Sequence, residues 1–210
     1  MKFKKVLVLA PHTDDGEIGA GGFIAKLIEE GSDVYYAAFS IAEQSVPEGF
    51  PKDILKTEVK NATAKLGLKE SNLFVYNYEV RKLNYARQEI LEDLVALGRK
   101  IDFDLILMPS VNDLHQDHAT VAQEGLRAFK RKSICCYELI WNNLSFNFQC
   151  FVSITEEQLQ KKMAALREYK SQGFREYIND EFVRALAITR GVQSGNKYAE
   201  VFEVVRLMIK

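Results

Sequence analysis

The chain has 210 residues, 47% of them hydrophobic and 27% charged, a composition typical of a globular protein rather than a disordered one. A formal net charge of −1 argues against general electrostatic binding to nucleic acid or to an anionic membrane. No apolar run approaches the roughly 20 residues that cross a bilayer, and the N-terminal sequence lacks the pattern of a signal peptide. Cys135, Cys136 and Cys150 show no CxxC spacing and indicate reduced thiols, so we expect one domain over residues 1–210 in the cytoplasm.

Strands alternate with helices along the first two thirds of the chain. The apolar run 4–10 predicts a buried strand, and a helix over 19–30 follows it, with Gly31 as its C′ residue. Further strands are predicted at 34–39, 73–76, 105–108, 134–137, 148–154 and 198–207, and further helices at 53–66, 85–100, 116–130 and 156–169. Repeated β-α units predict right-handed crossovers, and therefore an α/β fold with a doubly wound, mostly parallel sheet and helices on both faces.

All three histidines of the chain follow predicted strands directly. His12 comes after strand 4–10, and His115 and His118 come after strand 105–108. The carboxyl ends of parallel strands meet at one edge of the sheet, where folds of this class bind their ligands. Buried charge is unfavourable there unless it is paired or bound to a metal, and catalytic zinc takes three protein ligands such as His and Asp. We therefore predict a metal site at this edge.

Each of the two motifs offers two ligand-type side chains three residues apart. The pairs are His12 with Asp15, and His115 with His118. This spacing places both members on one side of a turn or of a helix entry, so that one can bind a metal while the other faces a substrate. The carboxylates of Asp14 and Asp117 remain for a base that acts on water and for a group that orients a histidine.

A simpler interpretation assigns Asp14 and Asp15 to a turn and a helix N-cap, and each histidine to an ordinary hydrogen-bonded position. The clustering of every histidine with acids at two equivalent strand ends argues against it. The glycines after the first strand suggest a dinucleotide site, but the third glycine of that fingerprint would fall at Ile24, so we predict no nucleotide cofactor. These glycines favour close packing of the helix on the sheet instead.

The motifs resemble those of the PIG-L/LmbE-like zinc-dependent deacetylases, which remove the N-acetyl group from N-acetylglucosamine conjugates. The resemblance rests on His12-Thr13-Asp14-Asp15 followed by Gly19-Ala20-Gly21-Gly22, and on His115-Gln116-Asp117-His118. Weaker similarities lie at Glu58 to Gly67, Ala165 to Gln172, Arg190-Gly191 and Tyr198 to Phe202. The resemblance implies a Rossmann-like fold and a small-molecule sugar conjugate as substrate. The net charge and the short apolar runs separately predict no nucleic-acid partner and no membrane span.

The resemblance also implies a role for each motif residue. The ligands of zinc, or of another divalent metal such as Fe²⁺, would be His12, Asp15 and His118. Asp14 would be the general base. His115 would stabilise the oxyanion or protonate the leaving amine. Asp14 could instead return its proton to the amine, and the sequence does not choose between these two donors. Asp117 would hold His115 in the right tautomer and favour its cationic form.

The chain departs from the family's commonest motifs without losing any of these residues. The first motif is commonly His-Pro-Asp-Asp-Glu, whereas this chain has Thr13 and Gly16, with Glu17 one place later, as in the bacillithiol-type branch. Gln116 replaces a proline in the second motif. The departures leave the chemistry unchanged and the substrate subgroup open.

Two other functions stay open at this point. One is a metal-dependent hydrolase of another amide or ester, and the other is a non-catalytic binding module, against which the intact motif residues argue. Trp141 could stack on a sugar ring or belong to the core or an interface. Members of the family often form homo-oligomers, but the chain shows no heptad pattern that would predict one.

Overall fold

Six of the seven strands of the sheet run in one direction, and the seventh runs in the opposite direction. The computed structural model describes residues 3–209, and its strands are β1 (Lys5–His12), β2 (Asp33–Ser40), β3 (Leu73–Val75), β4 (Leu105–Pro109), β5 (Ser133–Tyr137), β6 (Cys150–Ser153) and β7 (Ala199–Arg206). They form one sheet in the order β3-β2-β1-β4-β5-β7-β6. The strands from β3 to β5 are parallel to one another, and β7 is antiparallel to β5 and β6. This confirms the predicted mostly parallel α/β sheet.

Six α-helices cover both faces of this sheet within residues 3–209. They are α1 (Asp15–Glu29), α2 (Ile54–Leu66), α3 (Arg87–Lys100), α4 (Gln116–Ala128), α5 (Glu156–Leu166) and α6 (Asp180–Ser194). In β1, Val6 and Val8 pack in the core under α1, α2, α5 and α6, whereas Leu7 and Leu9 pack in the core under α3 and α4. Because all four side chains are fully buried, the strand reads as a continuous apolar run. No helix in the described chain is both long and apolar enough to cross a membrane.

The largest differences from the predicted helices are at α1 and α6, whereas α3, α4 and α5 differ by up to three residues at one end. α1 begins at Asp15 instead of residue 19, because Asp15 and Glu17 in its first turn are buried polar residues that hide the amphipathic pattern. α6 was not predicted at all. Its apolar residues Ile188 and Val192 are exposed, and Gly191 contributes no side chain to its buried face, so that its apolar face has no clear 3.6-residue period.

The order of the strands creates a crevice between β1 and β4. After β1 the chain continues to β2 on one side, and after β4 it continues to β5 on the other side. The two connections therefore diverge at the carboxyl ends of these adjacent strands, which is the position where open α/β sheets bind ligands. The first histidine motif follows β1 and the second follows β4, so the fold brings them to the same crevice.

Candidate active site

The first motif forms the tight connection between β1 and α1. β1 ends at His12 and α1 begins at Asp15, and the carboxylate of Asp15 accepts the backbone N–H of His12 at 2.8 Å. Asp14 occupies the N-cap position of α1, but its side chain caps no helical N–H and lines a cavity instead. The connection thus supplies two adjacent aspartates on the cavity wall, one of which, Asp15, turns back toward His12.

Three ligand-type atoms from the two motifs converge at one point. His12 Nδ1, Asp15 Oδ2 and His118 Nε2 form a triangle in which each side is 3.2 Å. Zinc binds nitrogen and oxygen at about 2.0–2.2 Å, which puts adjacent tetrahedral ligand atoms roughly 3.3–3.6 Å apart. The triangle therefore has close to the spacing that a single divalent ion requires.

Two further carboxylates determine which nitrogen of each ligand histidine faces this triangle. Asp117 Oδ2 lies 3.0 Å from His12 Nε2, and Asp113 Oδ2 lies 2.9 Å from His118 Nδ1. A carboxylate of this kind accepts the N–H of a neutral imidazole and leaves a lone pair on the other nitrogen. Two imidazole lone pairs and an Asp15 oxygen then point at one another, an arrangement that a cation satisfies. The donor set fits a divalent metal.

In the absence of a metal, the neighbouring carboxylates keep both ligand histidines protonated at neutral pH. Burial opposes protonation of both imidazoles, but Asp15 outweighs it and raises the pKa of His12 to about 9 and that of His118 to about 10. Burial also opposes ionisation of Asp15, yet the two histidines hold its pKa well below its usual range. A metal must therefore displace a proton from each imidazole, as metal sites in proteins do.

Asp117 lies against a different histidine from the one that its motif suggested. Its carboxylate contacts His12, and it also accepts the backbone N–H groups of Arg81 at 2.6 Å and Leu83 at 3.2 Å. Only its backbone N–H reaches His115, by donating to Nδ1 at 3.2 Å. The first turn of α4 directs the Asp117 side chain back toward β1, so Asp117 orients His12 rather than His115.

His115 stacks on the ring of His118, with 4.6 Å between ring centroids. The three histidines offer nitrogen atoms that all lie within 4.8 Å of one another, so His115 is a fourth candidate ligand, although the triangle without it is tighter. Burial and the neighbouring imidazoles lower the pKa of His115 to about 4. The imidazole is therefore neutral at pH 7, in contrast to the cationic form that the resemblance implied.

Asp113 is a site residue that the sequence did not reveal. It is buried, its Oδ2 contacts His118, and its Oδ1 accepts the backbone N–H of His115 at 2.8 Å. Its position five residues before His118 carries no periodic signal. The one hint in the sequence was that Asp113 is an acidic residue shortly before the second motif.

A cavity of about 350 Å³ opens beside the triangle. Burial and the neighbouring Asp15 raise the pKa of Asp14 on its wall to about 6. Trp141 stacks on Tyr177, with 3.9 Å between ring centroids, and both rings line this cavity. Polar lining comes from Arg81, Asn142, Gln172 and Arg175. Trp141 is 37% exposed, so it belongs to the wall of the cavity and not to the core.

The chain is similar to a deacetylase and to solved structures over almost its whole length. It is 28% identical to the diacetylchitobiose deacetylase of Thermococcus kodakarensis, over 94% of this chain and 81% of that protein. The N,N′-diacetylchitobiose deacetylase of Pyrococcus horikoshii superposes with a TM-score of 0.80 at 25% identity, covering 97% of this chain and 84% of that one. The 4-carboxy-2-hydroxymuconate hydratase of Pseudomonas putida superposes with a TM-score of 0.78 at 21% identity, covering 99% and 98%, which shows a shared fold only.

The model of one protein family, described as PIG-L: GlcNAc-PI de-N-acetylase, matches residues 7–129. This range includes β1 from Leu7 onward, the first motif, β4 and the second motif, and therefore every atom of the triangle. It also covers more than half of the chain. With the convergence of both motifs in one crevice, this match shows that the chain belongs to the PIG-L family.

Proposed function

We propose that this protein is a metal-dependent hydrolase that removes the N-acetyl group from an N-acetylglucosamine-type sugar conjugate. The observation that carries the proposal is the triangle of His12, Asp15 and His118 at 3.2 Å spacing, open to a cavity whose wall holds Asp14. The named deacetylase at 28% identity supports the reaction and the acetylated sugar as substrate.

The metal would be zinc, or another divalent ion such as Fe²⁺, held by His12, Asp15 and His118. When bound it supplies Lewis-acid chemistry, which makes water nucleophilic near neutral pH and polarises the acetamide carbonyl. Asp14 makes no capping bond, and its pKa of about 6 leaves it mostly ionised at pH 7. It can therefore accept the proton of the attacking water as general base.

His115 is suited to stabilise the developing oxyanion as a neutral donor. Its Nδ1 accepts the backbone N–H of Asp117, so the proton of the neutral imidazole is on Nε2. A neutral imidazole can donate this hydrogen bond without losing the proton. Asp14 then returns the proton of water to the leaving nitrogen, so that acetate and the free amine are the products.

The cavity wall has the chemistry of a sugar site. The side chains of Arg81, Asn142, Gln172 and Arg175 offer hydrogen-bond donors for hydroxyl groups, and Trp141 offers an aromatic surface for a pyranose face. A volume of about 350 Å³ suits a small molecule.

Cys135, Cys136 and Cys150 are all free thiols, which supports a reducing compartment such as the cytoplasm.

The test measures acetate release from a panel of N-acetylglucosamine conjugates and, as controls, from other amides and acetate esters, with zinc-loaded protein. Asp14→Asn should keep its metal and lose about 10²–10⁴-fold in rate, the usual range for a general base. Asp53→Asn is a matched control, because Asp53 is also an N-cap residue without a capping bond but lies outside the cavity. His118→Ala should bind little metal.

If acetate is released only from the other amides or esters, the protein is a different hydrolase and not a sugar deacetylase. Near-normal turnover of Asp14→Asn would remove Asp14 as the base. Full metal occupancy in His118→Ala would refute the ligand assignment. Wild-type protein that binds zinc and hydrolyses none of the substrates would overturn the proposed reaction.

A further inference from the structure

A single tyrosine hydroxyl holds both ends of the segment that carries Asp14 and Asp15. The Tyr36 hydroxyl lies 2.9 Å from the carbonyl oxygen of Thr13 and accepts the backbone N–H of Gly16 at 3.1 Å. Thr13 and Gly16 flank the two aspartates. Tyr36 is fully buried in β2, so its ring cannot move without disturbing the core.

A second tyrosine and a carboxyl group complete this arrangement. The Tyr169 hydroxyl, from the segment after α5, lies 2.7 Å from the same Thr13 oxygen. One oxygen of Glu17 contacts the Tyr36 hydroxyl, and the other lies 3.0 Å from the Tyr169 hydroxyl. Glu17 and Tyr36 are 0% exposed and Tyr169 is 1% exposed. Water is therefore excluded from the group, and hydrogen bonds in such surroundings are strong.

The glycine at position 16 is what allows Tyr36 to reach this place. A Cβ atom on Gly16 would lie 2.6 Å from the Tyr36 hydroxyl, so any other residue would push the ring away from Thr13. The commonest motif of the family has glutamate at this position. In this chain the glutamate is one place later, at Glu17, and its carboxyl group joins the two tyrosines beneath the loop.

We propose that Glu17, Tyr36 and Tyr169 are positioning residues for the reaction. They fix the peptide groups on either side of the aspartate pair, so that Asp14 faces the cavity and Asp15 reaches the triangle. None of the three lines the cavity, so they act through the aspartates. The inference rests on the proposed function because Asp14 is the base there.

Two tyrosine-to-phenylalanine variants distinguish positioning from general stability. Tyr169 bonds the carbonyl of Thr13 at 2.7 Å, and Tyr137 bonds the carbonyl of Leu9, within β1, at 2.8 Å. Both side chains are at most 1% exposed, so each substitution removes one buried hydroxyl from a backbone carbonyl, and Tyr169→Phe also removes the contact with Glu17. Tyr169→Phe should lower kcat about 10-fold or more, since a shift of 1 Å in a reacting group can cost about 10²-fold. KM should stay within about twofold, and Tyr137→Phe should keep both constants within about twofold.

Glu17→Gln and metal binding complete the test. The amide of Gln keeps the length and one acceptor oxygen of Glu17, so Glu17→Gln should keep more of the rate than Glu17→Ala. Zinc affinity, measured by competition with a chelator, should fall about 10-fold in Tyr169→Phe but not in Tyr137→Phe, because groups that support a ligand typically contribute 10–100-fold.

Equal kcat and equal zinc affinity in the two tyrosine variants would overturn the inference. If the wild type deacetylates nothing and yet zinc affinity still differs between them, the reaction is wrong and the positioning role stands.

Discussion

Replacing Lys162 by methionine tests a buried ion pair that ties α5 to β7. Lys162 Nζ lies 2.6 Å from Glu200 Oε1, and the two side chains are 8% and 5% exposed. Glu200 also accepts the backbone N–H groups of Gly22 at 2.9 Å and Phe23 at 2.7 Å, in the middle of α1. Loss of one partner of a buried pair costs about 3–5 kcal/mol. Because the two backbone donors remain, we expect the lower end, about 3 kcal/mol.

For a chain of this size, 1 kcal/mol corresponds to about 2–4 °C, so the Tm of Lys162→Met should fall by roughly 6–12 °C. Lys161→Met is the matched control, since Lys161 pairs with Glu29 at 2.7 Å with both side chains about 40% exposed. Exposed pairs contribute about 0–1 kcal/mol. Urea and thermal unfolding followed by circular dichroism give both values. Equal losses in the two variants would refute the reasoning, and adding Glu200→Gln should recover part of the loss in Lys162→Met.

Two further substitutions and one chemical modification test the helix packing, a helix cap and the burial of two cysteines. Gly19→Ala places a Cβ atom 2.3 Å from the buried ring of Tyr137 and should cost about 1–3 kcal/mol in urea unfolding; an unchanged midpoint would show that the ring can move. Thr155→Ala removes the capping box of α5 and should cost about 1 kcal/mol, measured in the same way. Burial raises the pKa of Cys135 to about 12, so at pH 8 it stays a protonated thiol, and we expect Cys135 and Cys136 to react with a thiol reagent only after unfolding.

The predicted elements were correct where burial produces a clear pattern. Strands such as β1 and β4 are apolar throughout because both faces are covered, and the positions of the first five strands were predicted to within about two residues. The helix α6 escaped prediction because Ile188 and Val192 leave apolar side chains in solvent. Sequence periodicity reports burial, so a helix that exposes apolar residues gives a weak signal.

Within the site, sequence reasoning predicted the cluster of residues but not the contacts of each side chain. The cluster of all histidines after two strands was enough to predict that these ligand-type side chains meet at one edge of the sheet. The partner of Asp117 was not predictable, because its carboxylate reaches across from α4 to His12 and to residues 81–83. Such contacts depend on how β1, β4 and the segment after β3 pack together. A motif that places Asp117 two residues from His115 says nothing about these distances.

The hydrogen bonds that Glu200 accepts from α1 have a consequence for the order in which the contacts of the molecule form during synthesis. Glu200 is separated from Gly22 and Phe23 by 178 and 177 residues, so α1 gains this support only after β7 has emerged from the ribosome. β7 also lies between β5 and β6, and β6 pairs with no other strand within residues 3–209. Contacts at such separation form slowly because a long loop must close first. The first motif is translated among the first residues of the chain, yet the contacts that support α1, which follows it, are among the last to form.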